Sequence, residues 1–551
     1  MRRASSYTAI LRRALLGVAA VSSFAFMVSC GDDPTTPAPT PSPSPTPTPP
    51  PGKQVSEVVK WMDERLQKEY MWMDEYKEKH SQIDLSLEWD KFLPENLLKK
   101  LTTNTDDGEI NNKGEHTSLY TNVSRRRDIS SQSSTRALPT VYGYGIELSP
   151  YYVGVSSIEG YTENNYGFVI EHVYPGSVAD EAGLSRGDLI LQIDKTKITT
   201  SSIANLYTKL VDANSSNNIN ITAQVYNEEA KEYSIEEHKL TASNYESNPV
   251  AFCDVLTLDE KYGAADKKIG YMVYLAFDHD YNDAMVDAIK ELSKQGITDM
   301  ILDLRANSGG HVTSSIMLAS MLLDESYVGD DKVYARLKHN PKNTVYDDVD
   351  FTLDKFYSPQ GSSAQYDLPN LGVKKLWVIC SEFTASASEM LIVGLRGLDV
   401  EVELIGNVTE GKNCGMEVTY KNFDGYEYEF APITFMNENG KGFSDYGDGI
   451  TPEHNLVTYA SNPALTDRQR SLCNYFPVPL TAWDDIKNDI ALEETVMQIC
   501  GKSLLTSSSD AQASASRFAT TRAGGIVLPE RINKKIERND LRSRGMIIVK
   551  E

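Results

Sequence analysis

The segment Met300-Ile-Leu-Asp-Leu-Arg305, followed at once by Ala-Asn-Ser-Gly309-Gly310, constrains the fold more than any other part of this chain. A short continuous apolar run bounded by turn residues reads as a strand buried on both faces. Such a strand needs helices above and below it, and the flanking sequence supplies them. Ile269–Phe277 is a second apolar run. Ala284, Met285, Ala288, Ile289 and Leu292 recur at helical spacing. A helix begins near Val312, Leu376–Cys380 is a further strand, and Ser386–Leu398 reads as a helix. Repeated strand–turn–helix units predict an α/β layer in which sites are built on the turns at strand ends.

The whole chain has 551 residues, of which 40% are hydrophobic. That suffices for several packed domains. Its net charge of −24 argues against nucleic acid as a partner, because phosphates require a basic face. It also argues against a protein that lies flat on anionic lipid. The N-terminus reads as an export address. Arg2, Arg3, Arg12 and Arg13 precede the apolar run Ala14–Ser29, which is too short to be read as a spanning helix. The run ends in Met27-Val-Ser-Cys30, which resembles a bacterial lipoprotein cleavage site, so Cys30 is expected to carry lipid. Gly31-Asp32-Asp33 resembles the acidic export motif of Bacteroidetes surface lipoproteins. Asp33–Lys53 alternates proline with Thr, Ser and Ala and predicts an extended tether. The expected location is the cell envelope, with the outer membrane as anchor and either a periplasmic or a surface-facing body.

Val55, Val58, Val59, Met62 and Leu66 form one apolar helical face, and a mostly helical module is expected to about Thr135. No chemistry is assigned to it. His116, in a polar loop, is read as bonding to backbone. From Val141 short strands take over. "PGSVADEAGL", Pro175–Leu184, and "GDLILQID", Gly187–Asp194, closely resemble the core of a PDZ domain. That resemblance implies an open sheet edge that adds an extended peptide, with a glycine-bearing loop receiving its terminal carboxylate. Tyr142, Gly143, Tyr144, Gly145, Ile146, Glu147 and Leu148 are the candidate loop.

Three segments carry the chemistry: Asp303–Gly310, Phe383-Thr-Ala-Ser386-Ala-Ser388-Glu389, and Gly406-Asn-Val-Thr409-Glu-Gly411-Lys412. Paired glycines after a buried strand let backbone N–H groups approach a ligand. A serine at a helix start sits where negative charge is favoured. In order and together, "DLRANSGG", "TASASE" and "GKNCG" resemble the C-terminal processing peptidases, serine–lysine proteases with a PDZ domain. "GDGITPEH", Gly447–His454, resembles a fourth family segment. The resemblance spans about Val55 to Lys502. It implies a multidomain α+β chain whose catalytic domain is of the ClpP/crotonase-like type. It also implies Ser386 as nucleophile, Lys412 as general base, and the N–H groups of Ala387 and of Gly309 or Gly310 as oxyanion donors. A serine needs a base to take its proton, and burial disfavours an ammonium, so a buried lysine can do this without histidine.

The expected layout is leader 1–29, lipidated cysteine and tether 30–53, helical module 54–135, PDZ domain 136–245, peptidase domain 250–505 and tail 506–551. Within the tail, Ile526-Val-Leu and Met546-Ile-Ile-Val are candidate strands. The substrate class is an extended polypeptide with a free C-terminus. Many relatives carry glutamine four residues after the lysine, whereas this chain has Met416 followed by Glu417. Another group, or Glu417, must then orient Lys412, or the site is degraded, which leaves a weak or inactive peptide-binding relative as the alternative. Ser388 is the rival nucleophile and His311 the rival base. The histidines show no metal-ligand spacing such as HExxH, so neither metal nor cofactor is expected. With Cys30 given to lipid, five cysteines remain, and Cys414 is read as a packing residue.

Overall fold

The structure is a computed structural model. It describes residues 55–109, 116–127, 140–153, 165–211, 213, 217–227, 232–263, 266–329, 331–358, 365–456, 482–504, 530–531 and 546–549. The leader, Cys30, the tether, Cys473 and Ile526–Leu528 lie outside the described residues.

The apolar run that opens at Met300 does become a central buried strand, Asp299–Asp303. Val250–Val255, Ile269–Tyr274, Asp299–Asp303, Lys375–Cys380, Glu401–Gly406 and His454–Asn455 form one sheet in that order. The first pair is antiparallel and the rest are parallel. The helices Asn282–Gln295, Val312–Leu322 and Ala387–Gly397 share one apolar core with Met272, Met300, Leu302, Val378 and Leu404. The helix Ile490–Ile499 packs with Tyr271, Ile301 and Ile405, whose side chains point to the other face. Alternate residues of each strand therefore feed opposite cores, which is why the strands lack a polar face.

An antiparallel sheet of Asn122–Arg127, Tyr426–Ala431, Cys414–Phe423, Ile433–Asn439, Val333–His339 and Val349–Thr352 stands beside the first. Its Met416, Phe430 and Ile433 share a core with Val59, Met62 and Leu66 of the helix Glu57–Glu69. The N-terminal helices are thus packed onto this sheet rather than standing apart from it. Asn122–Arg127, expected within a helical module, is a strand because it pairs with Tyr426–Ala431. The Arg125 guanidinium caps that edge, 4.4 Å from the Tyr426 ring centre and 5.0 Å from that of Trp89.

The sheet in the region expected to be PDZ-like runs Ile146–Val153, Asn165–Val173, Leu189–Ile193, Asn218–Asn227 and Glu232–Thr241, with helices Val178–Glu181 and Ile203–Val211. Ile146–Val153 is its edge strand, and Glu530–Arg531 of the tail pairs antiparallel with it at Tyr151 and Tyr152. Met546–Val549 pairs in parallel with Gly415–Val418. This domain meets the parallel-sheet region where Arg186 lies 3.4 Å from the centre of the Trp483 ring, which belongs to that sheet's core. Among the described residues no helix is long and apolar enough to cross a membrane.

Leu66 is fully buried in the core shared by helix and sheet. Leu66→Ala should cost about 2–5 kcal/mol of stability. Urea unfolding checks this, and a loss below about 1 kcal/mol, typical of surface sites, would contradict a shared core.

Candidate functional site

Three neighbouring parallel strands end at the same edge of the central sheet. Asp299–Asp303 leads into Gly309-Gly310, Lys375–Cys380 into Ser386, and Glu401–Gly406 into Lys412. Segments far apart in sequence are thereby placed side by side, at the carboxyl ends of the strands where open α/β sheets bind ligands.

Polar side chains sew the three turns together. The Ser381 hydroxyl donates to Arg305 O at 2.5 Å, and that of Thr384 to Leu304 O at 2.8 Å. Ala385 N–H donates to Asn307 O at 3.2 Å, and the Ser388 hydroxyl reaches the same oxygen at 3.1 Å. Arg305, only 2% exposed, is anchored by Asp303 at 2.6 Å and Asp489 at 2.8 Å. Glu389, fully buried, accepts from Ser386 N–H at 2.8 Å, Gly411 N–H at 2.7 Å, Lys412 N–H at 2.9 Å and the Thr409 hydroxyl at 2.6 Å. One carboxylate therefore fixes the serine turn to the lysine turn.

Ser386 precedes the helix Ala387–Gly397 with φ 61° and ψ −113°, a conformation that favours glycine. Only a tightly tied turn holds a serine there. Gly309 lies directly against it. A Cβ on Gly309 would come within 2.8 Å of Ser386 Cβ and 2.9 Å of Ala387 N. Gly309 N–H donates to Asn307 Oδ1 at 2.9 Å. The N–H groups of Ala387 and Gly310 have no acceptor among the described residues. Of the two glycines expected to offer an oxyanion donor, Gly310 is the one whose N–H is not already engaged by a side chain.

Lys412 is 4% exposed, and its Nζ lies 4.2 Å from the centre of the Tyr120 ring. The Tyr120 hydroxyl donates to Glu410 at 3.1 Å. Cys414 Sγ donates to Asp106 O at 3.3 Å, and burial pushes its thiol pKa up, as suits a packing residue. Tyr120, Asp106 and Asp107 thus border the Lys412–Cys414 segment, although the sequence assigned no chemistry to their region. Nothing in its own pattern marks Tyr120, which is brought to Lys412 by packing alone. His116 bonds to Asp107 O at 3.0 Å. Met416 is buried in the core shared with the N-terminal helices. Glu417 faces the other way, bonding to His339 Nε2 at 2.9 Å and to the Thr434 hydroxyl. Gly447 and Gly449 close over Gly411, where a Cβ would meet Gly447 O at 2.2 Å. Cys253, Cys380, Cys414 and Cys500 are all unpaired.

Tyr142–Leu148 does not form a single loop. Thr140–Gly143 is a strand paired with Ser243–Glu246, Tyr144-Gly145 is the turn, and Ile146 begins the edge strand. Gly145 has φ 79°, and its carbonyl accepts from Tyr174 N–H at 2.9 Å.

His311 lies next to Gly310. Burial and the neighbouring His279 lower its pKa to about 4. Asp278, His279 and His311 offer ligand atoms that all lie within 4.8 Å of one another, a set that could hold a metal ion. Linear spacing hides this cluster, because two separate turns contribute to it.

Residues 268–456 match the family described as Peptidase family S41, and residues 169–221 match the PDZ domain family. The chain carries a family S41 peptidase domain preceded by a PDZ domain. It is 27% identical to a chloroplastic C-terminal processing peptidase of Tetradesmus obliquus over 40% of this chain and 43% of that one. It is 26% identical to carboxyl-terminal-processing peptidase 2 of Arabidopsis thaliana, over 53% of this chain and 50% of that one. The chain thus spans about half the length of these curated relatives. A crystal structure of an S41 protease from Bacteroides fragilis shares the fold, with a TM-score of 0.56 at 21% identity, over 80% of this chain and 97% of that one.

Burial pushes the Glu389 carboxyl up to about 7, outweighing the donors that favour its charge. Between its ordinary value of 4.5 and about 7 the unfolded chain releases this proton while the folded chain keeps it. Stability therefore falls as pH rises through that window and levels off above it. Glu69, at about 7, and Asp107, at about 6, act in the same direction. Glu389→Gln should lower stability, because an amide cannot accept from all four donors, and should flatten part of this slope. Urea unfolding at several pH values tests it, and an unchanged slope would contradict the assignment.

Proposed function

We propose that this protein is a serine endopeptidase that takes extended polypeptides by their C-terminal end and cleaves them by acyl transfer. One observation carries the reading: the Ser386, Gly310 and Lys412 turns converge at three adjacent strand ends, the serine and lysine turns joined by the Glu389 carboxylate and the serine and glycine turns through Asn307 O. In this reading Lys412, as neutral amine, takes the proton of the Ser386 hydroxyl as its oxygen attacks the peptide carbonyl. The tetrahedral oxyanion is held by the N–H groups of Ala387 and Gly310, with the helix Ala387–Gly397 behind them. Collapse expels the amine, which takes the proton back from Lys412. Water, deprotonated by Lys412, then attacks the acyl carbon, the ester bond to Ser386 breaks, and the Ser386 oxygen takes the proton back from Lys412. Burial of Lys412 supports this role, because desolvation disfavours an ammonium. Ser388 serves as a strut, since its hydroxyl is spent on Asn307.

The PDZ edge strand Ile146–Val153 receives the substrate by strand addition, and the Tyr144-Gly145 turn receives its terminal carboxylate. The pairing of Glu530–Arg531 on this edge supports the reading, since the edge accepts an antiparallel strand. The chain is held at the cell envelope by lipid on Cys30, with the proline-rich tether as spacer.

Ser386→Ala should abolish cleavage of an unfolded polypeptide, and Lys412→Ala should reduce it by at least about 100-fold. The wild-type rate should rise toward alkaline pH. Turnover that survives Ser386→Ala would overturn the assignment. No turnover by wild type would leave a peptide-binding relative, the reading that Met416 favours. Amidating the C-terminus of a bound peptide should weaken binding roughly tenfold or more, through loss of charge-assisted hydrogen bonds. Equal affinity for acid and amide would exclude carboxylate capture.

A further inference from the structure

We propose that Asp278, His279 and His311 form a binding site for one divalent transition-metal ion, Zn²⁺ foremost, beside the oxyanion turn. This site does not depend on the peptidase reading. Two turns create it. The 3-10 turn His279–Tyr281 follows the strand Ile269–Tyr274, and His311 immediately precedes the helix Val312–Leu322. A backbone bridge locks the turns together, with Phe277 N–H donating to Gly309 O at 2.9 Å and His311 N–H donating to Phe277 O at 2.7 Å.

The side chains are set as metal ligands are set. His311 Nδ1 lies 3.2 Å from Phe277 O, so it carries the proton and leaves the Nε2 lone pair outward. His279 Nε2 lies 3.1 Å from Asp280 Oδ1, which leaves the Nδ1 lone pair. His311 Nε2 and His279 Nδ1 are both buried and both lack a hydrogen-bond partner among the described residues. The two rings are 4.1 Å apart between centres. Two buried imidazole nitrogens on neighbouring rings, neither with a proton donor among the described residues, are an unmet demand in a folded protein. A metal ion meets it. Holding the opposite ring nitrogen on a carbonyl or a carboxylate is the arrangement that orients histidine ligands. Asp278 contributes an anionic oxygen, and one of its oxygens is steadied by Asp280 N–H at 3.1 Å. Two imidazoles and one carboxylate select zinc, cobalt, nickel or copper over magnesium or calcium, and leave a fourth position for water.

The test uses the full chain stripped by a chelator and titrated with Co²⁺, read by its visible absorption, and then with Zn²⁺ by calorimetry. One ion per chain is expected. His279→Gln and His311→Gln should each weaken binding by at least about tenfold, and the double variant should remove it. His454→Gln, at a histidine paired with Glu403 on the far strand, should bind as wild type. Anomalous scattering at the zinc edge from wild-type crystals grown with Zn²⁺ should place the ion between the two rings, which tests the site even if a variant misfolds. Absence of stoichiometric binding by wild type, anomalous density elsewhere only, or undiminished binding by the folded double variant would overturn the proposal.

Discussion

The geometry of the site depends on a single buried carboxylate. Glu389 collects the backbone N–H groups of Ser386, Gly411 and Lys412 and the Thr409 hydroxyl, four donors from two turns. Each would otherwise be a buried donor without an acceptor, which costs far more than the bond returns when made. The carboxylate is itself costly to bury, and that desolvation raises its pKa against the pull of its donors. The compensation is positional: the serine turn cannot shift without dragging the lysine turn with it. Asn307 does the same between the glycine turn and the serine turn, through its carbonyl and its side chain.

This economy explains which parts were legible in the sequence. The strands Asp299–Asp303 and Lys375–Cys380 are continuous apolar runs, and the turns after them carry glycine and hydroxyl residues for steric and hydrogen-bonding reasons that sequence displays directly. Glu389 was visible only as the last letter of a motif, because its partners are backbone groups and leave no residue-type signal. Tyr120 was invisible, since its position over Lys412 depends on how the N-terminal helices pack onto Met416 and Phe430. Asn122–Arg127 was read as part of a helical module because its pairing partner lies some three hundred residues away. The histidine cluster failed to register for the same reason, as its two turns meet only through the Phe277 bridge.

Glu417 illustrates how strand periodicity decides function. It follows Met416, and adjacent residues on a strand face opposite ways. Met416 enters the core under the N-terminal helices, while Glu417 turns to His339 and Thr434. The lysine is instead bounded by the Tyr120 ring and held at its backbone by Glu389. An aromatic face and a dry pocket act in opposite senses on an amine, the ring favouring the ammonium and burial the neutral form.

The central claim is that Ser386, activated by Lys412, is the nucleophile. Intact-mass and peptide-mapping spectrometry after incubation with a serine-directed fluorophosphonate tests it directly. The account predicts one adduct per chain, on Ser386, formed far more slowly in Lys412→Ala. An adduct on Ser388, or labelling of Ser386 at the same rate without Lys412, would contradict it.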